Sequence, residues 1–515
     1  MEFDARVAAN GTTLEADLCV VGAGPVGLSL ASALAGSGLR VVIVESGDDR
    51  REPETEELAA GDWTGDFGRE LQSLRSRGVG GTAALWNTGV AGAIGAKYVP
   101  LDAIDFESKS WAPWSGWAFG RDELDRYYAW AHVVCGLGAF DYAATTWSDD
   151  RHPLLELGSH GLTSGVFQNG HASVFRETLP RTLRDSDAVT LVVGATVTEI
   201  VRNPRDRSIV RVRWSTLSGG HGEVKASRFV LTAGGIENAR LLLLLERADG
   251  SHAPRNDWLG RGFMDHPIDR SIALVSRAAA LAGNEPFYLP HAVGRPPTVM
   301  GRIALSPDLM RDMRLPNASV RMLEAGAPRV LQSASPRRAA RMLVPLPAAR
   351  RVIGNTIRRV VAIGNRFRGA TYPLLIDIEQ LPHRDNRVIL ADKVDRFGRP
   401  RAELQWRWRA EDEAHRVRIR AAVVEALQRS GVGRAIVQPA RPVDPDAHHH
   451  TGTTRMHPDS REGVVDASLR VHGEENLYVV GSSVFPTAGF ANPTLTAIAL
   501  ALRLADHLAG KRVSS

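Results

Sequence analysis

The stretch from Asp17 to Glu45 limits the fold more than any other part of the chain. Asp17-Leu18-Cys19-Val20-Val21 is an apolar strand pattern, and Gly22-Ala23-Gly24-Pro25-Val26-Gly27 follows it as a glycine turn. Leu28 to Ala35 reads as a helix ending at Gly36-Ser37-Gly38, and Val41-Val42-Ile43-Val44 is a second strand closed by Glu45. Strand, GxGxxG, helix, strand and acid in that order are the parts of a Rossmann-type α/β nucleotide-binding unit. Gly22 permits the tight turn, Gly24 lets the backbone approach a pyrophosphate, and Gly27 lets helix and strand pack closely. The helix N-terminus faces the anion, and Glu45 is placed to accept from a ribose diol. The fingerprint implies a bound dinucleotide without saying which one.

A chain of 515 residues is too long for a single compact core, so a second domain is expected. Apolar content of 43% and charged content of 23% describe an ordinary globular chain. There is no uninterrupted apolar run of about 18–20 residues, hence no expected transmembrane helix. The opening residues Met1-Glu2-Phe3-Asp4-Ala5-Arg6 lack the apolar segment of a secretory signal. Cys19 and Cys135 are too few for a disulfide framework and read as buried free thiols, which suits a cytoplasmic location. A net charge of +5, spread over the whole length, does not point to nucleic acid.

Residues 47–75 read as a polar connection. Ser76 to Gly89 carries Gly80-Gly81 and then Thr82-Ala83-Ala84-Leu85-Trp86, small residues suited to a backbone passing close to a planar ligand. Trp111, Trp114 and Trp117 read as core, with stacking on a sugar as the competing reading. Arg121 to Tyr128 starts a helix with acids in its first turn. Strands are expected over 188–202, and Arg228 to Arg240 reads as a second strand–glycine–helix junction returning the chain to the nucleotide unit. His266, before Pro267, reads as structural. From 275 to 375 periodicity is poor, and 325–376 holds ten arginines and no acid. That excursion reads as a solvated helical segment beside the site, with a membrane-surface or partner-binding arm as the alternative. Strands at Leu374–Ile378, Arg387–Leu390 and Ala402–Trp406 are expected to pair in one antiparallel sheet, followed by a helix from Glu411 to Leu427. The expected division is 1–100, 188–270 and 445–515 for nucleotide binding, with 101–187 and 271–444 forming an inserted α+β substrate domain.

Near the C-terminus, His448-His449-His450-Thr451-Gly452-Thr453-Thr454-Arg455-Met456 and Ala491-Asn492-Pro493-Thr494-Leu495-Thr496 flank a short segment and lead into a helix. A neutral histidine, with an ordinary pKa near about 6.5, suits a base that takes a hydroxyl proton near neutrality. In extended chain, neighbouring side chains point to opposite faces, so the three histidines cannot all face one ligand. Asn492 reads either as a hydrogen-bonding amide or as a helix N-cap followed by Pro at N1. The helix over 494–508 has an apolar stripe at Leu495, Ile498, Leu502, Ala505 and Leu508.

Taken together, His-x-x-Gly-Thr-x-Arg-Met, Ala-Asn-Pro-Thr-Leu-Thr and the N-terminal fingerprint resemble the glucose–methanol–choline (GMC) flavin oxidoreductases, in the branch of pyranose oxidase and the bacterial C-glycoside 3-oxidases. The resemblance covers about 17–270 and 372–510. It implies FAD held at Gly22, Gly24, Gly27, Glu45, Gly80, Gly81, Ala83, Ala84, Leu85, Trp86, Val197, Ala233, Gly481 and Thr494, with no metal. It implies His449 as catalytic base and Asn492 as its partner, and a helix N-terminus aimed at the flavin. Pyranose oxidases carry a histidine for covalent FAD attachment where this chain has Leu85, so noncovalent FAD is expected. The implied activity is an FAD-dependent alcohol oxidoreductase acting on CH–OH donors, oxidising a secondary hydroxyl of a sugar or glycoside at C2 or C3 of a pyranose. The electron acceptor would be O2 or a quinone, and a homo-oligomer is compatible with the family. Two readings compete: a lyase of the same fold with redox-silent FAD, and an oxidase or dehydrogenase of a nonsugar alcohol such as a sterol.

Overall fold

The computed structural model describes residues 1–66, 68–90, 93–158, 160–248, 250, 256–276, 283–293, 297–324, 370–438, 442–444 and 448–510. The arginine-rich excursion lies almost wholly outside these residues. Three sheets organise what is described. The first has eight strands, ordered Glu2–Asp4, Val189–Val193, Val41–Val44, Thr12–Val21, His221–Leu231, Ile209–Ser215 and Thr196–Arg202, with Leu477–Val479 joined to the end of His221–Leu231. Its central strands are parallel, with Cys19 opposite Val42 on one side and Phe229 on the other. Their Val, Leu and Ile side chains are buried on both faces, as parallel strands covered by helices require. Helices Pro25–Leu34 and Thr494–Leu508 pack together on this sheet, and Leu495, Ile498, Leu502, Ala505 and Leu508 are all buried. The helix expected over 494–508 is therefore present with its apolar stripe inward.

Because Thr12–Val21 pairs with Val41–Val44 on one side and His221–Leu231 on the other, the strand order reverses at its carboxyl end. Such a switch point leaves a crevice outside the sheet, which is where open α/β sheets bind ligands. The glycine turn sits there.

The second sheet is antiparallel throughout, ordered Arg434–Val437, Ile268–Ser276, Ala370–Ile378, Ala318–Met322, Thr298–Leu305, Leu162–His171, Ala93–Tyr98 and Thr88–Val90. Its two faces differ in chemistry because successive side chains alternate. Ile272, Ile303, Val320 and Ile376 on one face form a core with Ile419 and Val423 of helix Ala410–Arg429. Lys97, Asn169, Arg302, Arg321 and Asp377 occupy the other face; Lys97 stands opposite Asn169, and Ser319 opposite Asp377. The third sheet is the hairpin of Arg387–Val394 and Pro400–Trp406 with Gly61–Gly65 added in parallel.

The fold is thus mixed α/β, a nucleotide unit joined to a sheet-built partner as the motifs predict. Two details differ from the sequence reading. Residues 374–378 do not pair with the 387–406 hairpin; they run inside the eight-stranded antiparallel sheet, between Ile268–Ser276 and Ala318–Met322. Thr88–Val90 and Ala93–Tyr98 also belong to that sheet, although they lie on the nucleotide side of the division expected near residue 100. Of the three tryptophans, Trp117 is buried against Phe106 and Phe485 and donates from Nε1 to Thr487 Oγ1 at 3.1 Å, which accords with a core role. Cys19 and Cys135 are buried free thiols.

Candidate active site

The crevice is built from backbone. Gly22 has φ +109°, a region glycine enters without strain, and its carbonyl and that of Val21 accept from Thr232 Oγ1 at 2.8 and 2.9 Å. A methyl at Gly27 would fall 2.7 Å from Thr232 Oγ1 and closer still to the Gly22 carbonyl, so this helix can seat on the strand only with glycine there. At Gly24 the same methyl would meet nothing within 4 Å. Gly24 is the N-cap of Pro25–Leu34, a helix with no side-chain cap and no acid in its first turn. Its free N–H groups and dipole therefore face open space.

Glu45 closes one wall. Its Oε1 accepts the N–H groups of Ser46 and Gly78 at 2.9 Å, while Oε2 accepts only Ala23 N at 2.8 Å and keeps lone-pair capacity for a hydroxyl. Burial pushes its carboxyl pKa up, against the N–H groups that hold it ionised. Gly80 donates to the Ala23 carbonyl at 2.9 Å, and a methyl at Gly81 would lie 3.0 Å from Gly24 Cα. The second glycine pair thus crosses directly over the first. Ala83, Ala84 and Leu85 continue it in a short 3-10 helix that ends at Trp86, whose ring meets Tyr98 and Phe175 edge-on. On the far wall Ala233 N donates to Asn238 Oδ1 at 2.7 Å, and Asn238 Nδ2 lies 4.0 Å from where a Gly481 methyl would be. Val197 lies in strand Thr196–Arg202, beside Ala195, whose N–H donates to the Glu45 carbonyl. Thr494 opens the helix packed along Pro25–Leu34.

The histidine cluster stands beside this crevice. His449 Nε2 lies 2.8 Å from Asn492 Nδ2, and His449 Nδ1 lies 2.8 Å from His266 Nδ1. The two segments are pinned by a bridge between Met264 and Thr451 and by Asp265, whose Oδ1 accepts the N–H of both His266 (2.7 Å) and His449 (2.8 Å). His448 has φ +56°, so the run of histidines is not extended at its start. The outcome is still that one of the three faces Asn492. His450 turns back against Phe263, its ring 5.7 Å away. Asn492 does not act as a side-chain cap: the last helix has Pro493 at its N-cap and no side-chain cap bond, and the amide goes to His449. The loop carrying Asn492 is tied down by Gly489 N, which donates at 3.0 Å to Oε1 of Glu379 just past strand Ala370–Ile378, and by Thr487 Oγ1, which donates at 2.7 Å to the Asp105 carbonyl in helix Ala103–Phe106.

Burial holds all three imidazoles nearest the site neutral. It lowers His449 well below the ordinary value, and the neighbouring His266, Lys97, His448 and His450 further oppose a proton there. His266 falls to about 4 and His450 to about 3, burial again first. Lys97, on the polar face of the antiparallel sheet, is lowered to about 7 by burial and then by Arg321. Among the described residues no hydrogen bond or ion pair engages its ammonium, which sits 5.1 Å from the Phe167 ring. Arg321 pairs bidentately with Asp377 at 2.5 and 2.6 Å. His266, Lys97 and Thr232 were not singled out as site residues by sequence; the signal available was only their position beside the motifs.

Residues 382–501 match the family model described as GMC oxidoreductase, and 15–61 match one described as FAD binding domain. The chain is 30% identical over 293 residues to the fructose dehydrogenase large subunit of Gluconobacter japonicus, covering 55% of this chain and 47% of that protein. It is 35% identical over 135 residues to the C-glycoside 3-oxidase of Arthrobacter globiformis, 26% of either chain. The matches thus span about half of the first relative and a quarter of the second. Among solved structures, pyridoxine 4-oxidase from Mesorbium loti superposes with a TM-score of 0.56 at 19% identity over 95% of this chain and 98% of that one, which is a likeness of fold.

FAD fits the residues present. The open space at Gly24, the uncapped helix N-terminus and the spare lone pairs of Glu45 Oε2 match a pyrophosphate and a ribose hydroxyl. Among the described residues no helix is long and apolar enough to cross a membrane.

Proposed function

We propose that this chain, which matches the GMC oxidoreductase family model over residues 382–501, is an FAD-dependent alcohol oxidoreductase converting a secondary hydroxyl of a sugar or glycoside, at C2 or C3 of a pyranose, to the ketone. The observation that carries the reading is the His449–Asn492 pair, 2.8 Å apart, with Lys97 of the polar sheet face near enough to act on the His449 ring. His449 is the base. Its buried, neutral imidazole has a lone pair to take the hydroxyl proton, and Asn492 moves its amide from His449 to the substrate oxygen. Bound FAD supplies the acceptor for the hydride. Lys97, Asn169 and the Arg321–Asp377 pair offer several polar groups at one surface, as a polyol needs and a sterol does not. The names of the relatives, a fructose dehydrogenase and a C-glycoside oxidase, favour the same substrate class. Leu85 presents no nucleophilic atom, so FAD is held without a covalent bond. The N-terminus of Thr494–Leu508 adds a positive dipole end beside the pair.

The test is to mix FAD-loaded protein anaerobically with pyranoses, glycosides, simple alcohols and sterols and follow the yellow absorbance. Bleaching by pyranoses or glycosides is expected. Bleaching by sterols alone moves the substrate class, and bleaching by nothing in the panel overturns the oxidoreductase reading in favour of a redox-silent flavin.

A further inference from the structure

The imidazole of His266 meets that of His449 nitrogen to nitrogen, Nδ1 to Nδ1 at 2.8 Å, across 183 positions of sequence. Such a contact requires one ring to donate and the other to accept. The surroundings decide which. The Asn492 amide nitrogen, a donor only, stands 2.8 Å from His449 Nε2, so that nitrogen carries the lone pair. Neutral His449 then has its proton on Nδ1 and donates it to His266 Nδ1, which must accept. Neutral His266 keeps its own proton on Nε2, a buried atom with no hydrogen-bonded partner among the described residues. The opposite arrangement would place a proton on His449 Nε2, against the Asn492 N–H and where a base needs a lone pair.

We infer that His266 is a positioning residue: it accepts from His449 Nδ1 and so holds His449 in the tautomer whose Nε2 faces the substrate. The inference deepens the proposed function and rests on His449 being the base there. Asp265 supplies the spacing, one carboxylate oxygen accepting the backbone N–H of both histidines. The partner is a neutral imidazole where many catalytic histidines have a carboxylate, and this has a chemical consequence. A carboxylate would raise the histidine pKa; a neutral acceptor fixes the tautomer and leaves the resting ring unprotonated. When His449 takes the hydroxyl proton, its Nδ1–H stays shared with the His266 lone pair, which stabilises the cation only once it has formed.

Two substitutions separate this role from packing. Asn at 266 places an acceptor oxygen near the Nδ1 position; Phe fills the ring's volume and offers none. In FAD-loaded protein, His266→Phe is expected to slow anaerobic flavin reduction about 10- to 100-fold while retaining FAD, and His266→Asn to stay within about threefold of the parent. A Phe variant as fast as the Asn variant, or faster, overturns the inference. Nitrogen NMR of histidine-labelled holoprotein, with the His449 signal identified by its loss in His449→Ala, reads the tautomer directly. Nε2 unprotonated in the parent and a mixture in His266→Phe is the expected result; Nε2 protonated in the parent refutes it. If His449→Ala still reduces flavin, the base assignment under the proposed function falls, while the tautomer measurement stands on its own.

Discussion

Gly24 and Gly27 are three residues apart in one motif, yet the structure gives them opposite penalties, and alanine at each makes a sharp test. Gly24 has φ −76° and ψ −178°, a conformation any residue adopts, and a methyl there meets nothing within 4 Å. Alanine at this N-cap loses about 0.5–1 kcal/mol relative to glycine. It recovers about 0.4–1 kcal/mol by restricting the unfolded chain. Apo Gly24→Ala should therefore unfold within about 1 kcal/mol of the parent. The methyl instead occupies the space offered to the pyrophosphate. Losing one charge-assisted hydrogen bond there costs about 1.5–3 kcal/mol, or about 10- to 100-fold in the FAD dissociation constant. Gly27→Ala forces its methyl onto the Gly22 carbonyl and to 2.7 Å from Thr232 Oγ1, so the turn must move; overpacking of this kind costs about 1–3 kcal/mol. Urea unfolding of the apoproteins and FAD titration by flavin fluorescence measure the two quantities. The reasoning is refuted if Gly24→Ala binds FAD as the parent does, or if it loses as much apo stability as Gly27→Ala.

Four further outcomes follow from the site. Since burial depresses the pKa of His449, the rate of flavin reduction should hold steady as pH falls through the ordinary histidine range near about 6.5 and decline only well below it; a decline centred near 6.5 would contradict the buried, neutral ring. Stability has the matching sign. His266 at about 4 and His450 at about 3 stay unprotonated in the fold while the unfolded chain takes up protons from about 6.5 downward, so acid unfolding should gain steepness below about pH 6.5 and the effect should shrink in His450→Phe. Asn492→Ala should keep FAD and lose about 10- to 100-fold in the reduction rate, seen by anaerobic stopped flow, and acid precipitation of the parent should leave the flavin in the supernatant, since Leu85 cannot bond to it.

Legibility in the sequence followed the strength of local patterning. The stretch from Asp17 to Glu45 could be read because a strand buried on both faces, a glycine turn and a helix each leave a separate signal within a few residues. The hairpin of Arg387–Val394 and Pro400–Trp406 and the helix Ala410–Arg429 were legible for the same reason. Thr298–Leu305 and Ala318–Met322 were not: Ser319 and Arg321 alternate with Ala318, Val320 and Met322 over only five residues, and Met300, Gly301 and Ala304 blur the alternation around Arg302. Gly61–Gly65 was hidden as well: it is a short strand whose partner among the described residues arrives more than 300 residues later, at Ala402 to Trp406. At the site, motif spacing singled out His449 and Asn492. The pairing of His449 with His266 had no local signal, since it depends on one carboxylate, Asp265, gathering two distant backbones.

The tie that Asp265 makes also bears on how the protein comes to exist in working form. Closing a loop of some 180 positions has to be offset before the contact stabilises anything, so this tie is expected late in folding. During synthesis the glycine turn emerges early, but its neighbouring strand His221–Leu231 and then Leu477–Val479 and Thr494–Leu508 follow only much later. The early strands must therefore wait with their edges open, exposed to wrong pairing. Ribosome-bound or C-terminally shortened chains should depend on chaperones far more than the finished protein does.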